Sequence, residues 1–132
     1  MKKTMKSMIV LAFAMTMLCS LVANAAMPEN EIMPMYNYID DTECTIEING
    51  TKAVMTAFVS AVADRCQIKM TLQMQNGSSW DDVTSWTVSE DSDSLSLRKS
   101  YTVDPSESYR VKATFKVWNG SSTETVTKID LP

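Results

Sequence analysis

From Glu43 onward apolar and polar residues alternate with a period of two, the spacing that sends successive side chains to opposite faces of a strand. Cys44, Ile46 and Ile48 alternate with Thr45, Glu47 and Asn49. Asn49-Gly50 then predicts a type I′ hairpin, whose two central residues both need positive φ. Residues from Lys52 to about Phe58 read as the return strand, with 59–65 as its extension or a connecting loop. Cys66, Ile68, Met70, Leu72 and Met74 alternate strictly with Gln67, Lys69, Thr71, Gln73 and Gln75, a strand with one dry and one wet face. After Asn76-Gly77, a fourth strand carries Trp80, Trp86 and Val88 on one parity, which predicts that both tryptophans help close the core or its rim. A fifth strand covers 95–103 and stops at Asp104-Pro105, because proline lacks the ladder donor and suits a turn. Tyr109, Val111, Ala113, Phe115 and Val117 alternate with Arg110, Lys112, Thr114, Lys116 and Trp118, and Asn119-Gly120 turns the chain into a seventh strand.

No stretch sustains a helical period. About seven short strands, with turns about 8–12 residues apart, predict a single all-β domain, an antiparallel β-sandwich over residues 43–132. An Asp-Pro turn followed by Tyr109 matches the tyrosine corner of immunoglobulin-like sandwiches, where the hydroxyl bonds back to nearby backbone. Two residues on stands Val111, where antibody domains carry cysteine, so the fold expected is immunoglobulin-like in the broad sense. Residues 26–42, with Pro28, Pro34 and no clean period, read as a flexible leader.

A closer likeness lies in Leu72-Gln73, Gly77-Ser78, Trp80, Val83 and Ser85-Trp86, followed by Tyr101-x-Val103 and Tyr109-Arg110-Val111-Lys112-Ala113. In combined spacing these resemble a family of small exported proteins of Gram-positive bacteria with an immunoglobulin-like or fibronectin-type sandwich. The likeness runs over residues 44–131 and implies a bacterial, extracellular sandwich. That family has no assigned biochemical function, so no catalytic residue is carried over.

The first 25 residues add the compartment. Lys2, Lys3 and Lys6 precede an apolar run from Met8 to Leu18, and Ala23-Asn24-Ala25 offers small residues at −3 and −1 of a cut after Ala25. Basic end, short apolar stretch and A-x-A site make a cleavable secretory signal, and the run falls short of the roughly 20 residues that span a bilayer. The expectation is a secreted protein with no membrane attachment once the signal is cut. Cleavage removes three of 12 cations and none of 16 anions, so the net charge moves from −4 to −7. An acidic chain has no cation excess to replace phosphate counterions, which argues against a nucleic-acid partner.

Cys19 departs with the signal, leaving Cys44 and Cys66, and an even pair in an oxidising compartment predicts a disulfide. Its Cα atoms must lie within about 7 Å. A second strand ending near Phe58 satisfies that. One running to Val62 would pair Cys44 with Met55 and hold it too far from Cys66. The shorter strand is the expectation, and closing a loop of 21 residues would contribute about 3 kcal/mol.

Absent residue types narrow the chemistry. With no histidine there is no Ser-His or Cys-His nucleophile pair and no imidazole ligand, and no G-x-S-x-G turn occurs. No catalytic residue, cofactor or metal site is expected. Glu90-Asp91-Ser92-Asp93 reads as a solvated turn, since it lacks the glycine and distal glutamate of a calcium loop. The three Asn-Gly-Ser/Thr sequons read as turns, and Lys99, on the parity of Leu95 and Leu97, as an edge or bulge position.

In immunoglobulin-like topology the third and sixth strands are neighbours. Their outward residues then put Lys69, Arg110, Lys112 and Lys116 on one face beside Trp118 and without an acid. That face is the candidate binding surface, suited to an anionic envelope polymer, a glycan or an acidic protein patch. Two functional readings follow: a non-catalytic extracellular interaction module, or a structural, self-associating surface component with no ligand of its own.

Overall fold

The computed structural model describes residues 36–132. The signal peptide and residues 26–35 of the leader lie outside the described residues. Seven antiparallel strands follow one another: β1 (Ile39–Asn49), β2 (Lys52–Ala61), β3 (Arg65–Asn76), β4 (Ser79–Glu90), β5 (Ser94–Thr102), β6 (Tyr109–Asn119) and β7 (Ser122–Asp130). They form a three-stranded sheet in the order β1-β2-β5 and a four-stranded sheet in the order β4-β3-β6-β7. The third and sixth strands are neighbours, as the immunoglobulin-like arrangement requires. The fourth joins the third instead of pairing with the fifth, as strand D would in a constant-type domain.

Period-two patterning supplies the core. Met55, Ala57 and Val59 on β2, Ile68, Met70 and Leu72 on β3, and Val111, Phe115 and Val117 on β6 are all inaccessible to solvent. These three strands are flanked on both sides within their sheets, so their inner faces are fully covered while the flanking strands contribute less.

The hairpins differ from expectation in one detail with consequences. Asn49 pairs with Lys52, Asn76 with Ser79 and Asn119 with Ser122, so each loop is Gly-Thr or Gly-Ser, with asparagine as the last strand residue. Gly50, Gly77 and Gly120 have φ of 60°, 63° and 60°, and no other residue type among those described has positive φ. A lone positive φ at the first central residue is the type II′ pattern, which also suits the twist of paired strands. The β1–β2 register moves by two residues, and Cys44 faces Ala57 instead of Met55.

Two bulges reset parity. Asp40 is the extra residue in β1, where Ile39 pairs with Ala61 and Asp41 with Ser60. The strand thus begins inside the expected leader, whose boundary at residue 42 moves back to Tyr38. In β4, Val83 has no partner between Thr84, opposite Leu72, and Asp82, opposite Gln73. The extra residue turns the first part of β4 over.

Candidate functional site

The outer face of the four-stranded sheet is built from alternate residues of all its strands. β3 presents Arg65, Gln67, Lys69, Thr71, Gln73 and Gln75, and β6 presents Arg110, Lys112, Thr114, Lys116 and Trp118, matched one to one from Arg65 opposite Trp118 to Gln73 opposite Arg110. The five residues expected on this face lie side by side there. Three further residues join them, and the expectation missed all three. Arg65 belongs to β3, which begins one residue earlier than its strict alternation suggested. The Val83 bulge brings Trp80 and Asp82 to the same face, opposite Gln75 and Gln73. Trp80 is therefore not a core partner of Trp86, because the extra residue inverts every side chain before it.

The face has an order of its own. Arg110 lies 4.3 Å over the Trp80 ring. Its Nε donates to Gln73 Oε1 at 2.8 Å, and Gln73 Nε2 donates to Asp82 Oδ1 at 2.8 Å. Asp82 is the one acid on this face among the described residues, and Gln73 engages it. At the other end, Arg65 and Lys116 lie 5.1 and 5.0 Å from the Trp118 ring centre. Each tryptophan is half-buried and carries cations over its ring, so both ends join an apolar plate to positive charge. Lys69 and Lys112 stand between them, with Thr71 bonded to Ser85 at 3.1 Å. Asp64 N–H donates to the Trp118 carbonyl at 2.8 Å and Gly120 N–H to Asp64 Oδ2 at 2.7 Å, pinning the Trp118 end.

The disulfide expectation is corrected. Both cysteines are free. β2 runs to Ala61, past the end near Phe58 that the bond required. The Cys44 thiol lies by the Ala113 backbone, whereas Cys66 pairs with Val117, four residues further along the same strand. Four residues of strand are about 13 Å, well beyond the reach of a disulfide. Burial, with Asp130 adding to it, pushes the Cys44 thiol up to about 11. Burial and then Asp93 also raise the thiol of Cys66, which solvent does not reach.

Tyr109 occupies the corner between β5 and β6. Its hydroxyl oxygen accepts from the Asp104 N–H at 3.0 Å. The Asp104 carboxylate in turn accepts the Ser106 N–H at 2.9 Å and the Ser106 hydroxyl at 2.7 Å, which hold its carboxyl below the usual range. Lys99 has the inward parity of β5 yet is exposed, as an edge position allows. Among the described residues no three Cys, Asp, Glu or His side chains converge as metal ligands, and no helix is long and apolar enough to cross a membrane. A shallow hollow of about 320 Å³ is lined by Thr51, Lys52, Ser100, Tyr101 and Thr102.

No family model and no curated protein matches the chain. Among solved structures, R. palustris CsgH is similar at 13% identity, with 66% of this chain and 88% of that chain covered and a TM-score of 0.39. The E. coli curli protein CsgC is similar at 16% identity, with 67% and 95% covered and the same TM-score of 0.39.

Proposed function

We propose that this protein is a non-catalytic extracellular interaction module that binds an anionic polymer of the cell envelope through the outer face of the β4-β3-β6-β7 sheet. The observation that carries the reading is charge segregation. Arg65, Lys69, Arg110, Lys112 and Lys116 share one sheet face with a single acid, in a chain whose part after residue 25 has a net charge of −7. Such a surface attracts polyanions although the whole molecule repels them, because local potential governs approach at short range. Trp80 and Trp118, at opposite corners, offer rings against which sugar or acyl groups can pack.

The test is sedimentation of the exported chain with isolated envelope of the producing cell. Raising salt from about 0.1 M to about 1 M shortens the screening length from about 10 Å to about 3 Å, and binding should fall accordingly. A Lys112→Glu, Lys116→Glu variant should stay folded and lose about tenfold or more in affinity, equivalent to about 1.4 kcal/mol. Unchanged binding by the folded variant would refute the proposal.

A further inference from the structure

The outer face of the three-stranded sheet carries an acidic row that matches the basic row on the opposite side of the molecule. After the Asp40 bulge, β1 turns Asp41, Glu43, Thr45 and Glu47 outward, and all four are exposed. β6 turns Arg110, Lys112, Thr114 and Lys116 outward. Read in the same chain direction, the two rows are acid, acid, threonine, acid and base, base, threonine, base. Both advance about 6.6 Å per outward residue, because both are extended strands. When Glu43 faces Lys112, therefore, Asp41 faces Arg110, Thr45 faces Thr114 and Glu47 faces Lys116.

The neighbouring strands agree with that register. Ile39, Thr42 and Ile46 are bonded to Glu124, Lys128 and Asp130 in turn, so β1 runs parallel to β7 and antiparallel to β6 at one side of the sandwich. Turning a second copy until its β1 runs parallel to β6 carries its β2 over β7. Phe58 is the register partner of Glu43 and points outward from β2, and Ile129 is the register partner of Lys112 on β7. The same superposition thus sets Phe58 of one copy opposite Ile129 of the next, and Ile129 is 48% exposed. An apolar pair beside a matched charge row is how a stacked pair of sheets, about 10 Å apart, is held in register.

We infer that the partner of the acidic β1–β2 face is a second copy of this chain, docked on β6 and β7 with Asp41, Glu43 and Glu47 against Arg110, Lys112 and Lys116. The contact joins two different surfaces. Each docked pair keeps one face of each kind free, and the association grows head to tail unless its rotation closes a ring. The contact involves two strands a side, below the area of a standard stable interface, so association is weak and salt-sensitive. The inference does not rest on envelope binding.

Sedimentation velocity on the exported chain, up to about 1 mM and at low and high salt, tests it. The parent should form oligomers that dissociate as salt rises. Glu43→Lys, Glu47→Lys leaves both rows net basic, Lys112→Glu, Lys116→Glu leaves both rows net acidic, and each variant alone should weaken association about tenfold or more. An equimolar mixture of the two should associate again, because every junction is then complementary. Ile129→Ser changes an exposed position and should weaken association without touching any charge. A parent that stays monomeric, charge variants that associate as well as the parent, or folded variants that fail to associate on mixing would each overturn the inference. The Glu43→Lys, Glu47→Lys variant leaves the basic face intact, so its envelope binding should persist. A parent that self-associates as expected yet does not bind envelope would count against the proposed function alone.

Discussion

Along one long side of the sandwich β1 and β7 are fastened by charged side chains, whereas along the other β4 and β5 meet through two aromatic rings. On the first side the Glu124 carboxylate accepts the N–H groups of Asn37, Tyr38 and Ile39, with distances from 2.9 to 3.4 Å. Lys128 Nζ donates to the Thr42 carbonyl at 2.8 Å, and Asp130 accepts the Ile46 N–H at 2.9 Å. On the second side Trp86 and Tyr101 meet edge to face at 6.2 Å, and Tyr101 remains 38% exposed. The first side has part of its strand edge engaged by side chains, so β1 offers fewer free backbone groups to a foreign strand. The second keeps its edges polar, with Arg98, Lys99 and serines on β5. Two ways of managing an edge thus coexist in one small domain: bonding it, and making it unattractive.

The largest consequence concerns Glu124. Its replacement by alanine strips the only side-chain partner recorded for three backbone N–H groups, and bonds to a charged group are worth about 1.5–3 kcal/mol. Glu124→Ala should lower unfolding free energy by about 2 kcal/mol in urea titration, and Tyr101→Ala on the open side by about half that. Equal losses from the two substitutions would erase the contrast.

Next comes Cys44, which lies on the bonded side beside Asp130 and Lys128. A thiol moved from 9.0 to about 11 has about a hundredfold less thiolate near neutral pH, so alkylation of the native chain should be slow. The raised value also favours the protonated folded state, so stability should fall as pH rises through 9.0 and level off near 11. Without reductant, two thiols per chain lacking residues 1–25 should react after denaturation; none would restore the disulfide. Rapid native labelling of Cys44 would place it outside the charged closure.

The smallest effect belongs to the corner that carries the chain from β5, on the open side, to β6. Tyr109→Phe removes one bond to the Asp104 N–H and should cost about 1 kcal/mol by thermal or chemical unfolding. A loss near zero would mean that the aromatic ring alone holds the corner.

Period-two alternation and three Asn-Gly turns were enough to place seven strands and the Tyr109 corner, because side-chain parity and turn chemistry are local properties, whereas the adjacency of β3 and β6 came from the immunoglobulin-like topology that the corner suggested. For the same reason Lys69, Arg110, Lys112, Lys116 and Trp118 were legible as one face. Residues whose placement depends on a single inserted residue were not. Nothing local marks Val83 as unpaired, yet that bulge moves Trp80 and Asp82 to the outer face. A two-residue change of loop moves Cys44 along β2, and β2 itself continues to Ala61, so the cysteine pair that composition favoured stays apart. The inward-facing Glu124, Lys128 and Asp130 look like a poorly patterned strand until β1 lies beside them. Pattern determines which face of its own strand a residue takes. Which strand lies across from it, and at what register, follows from packing two twisted sheets around one core, and no stretch of sequence contains that by itself.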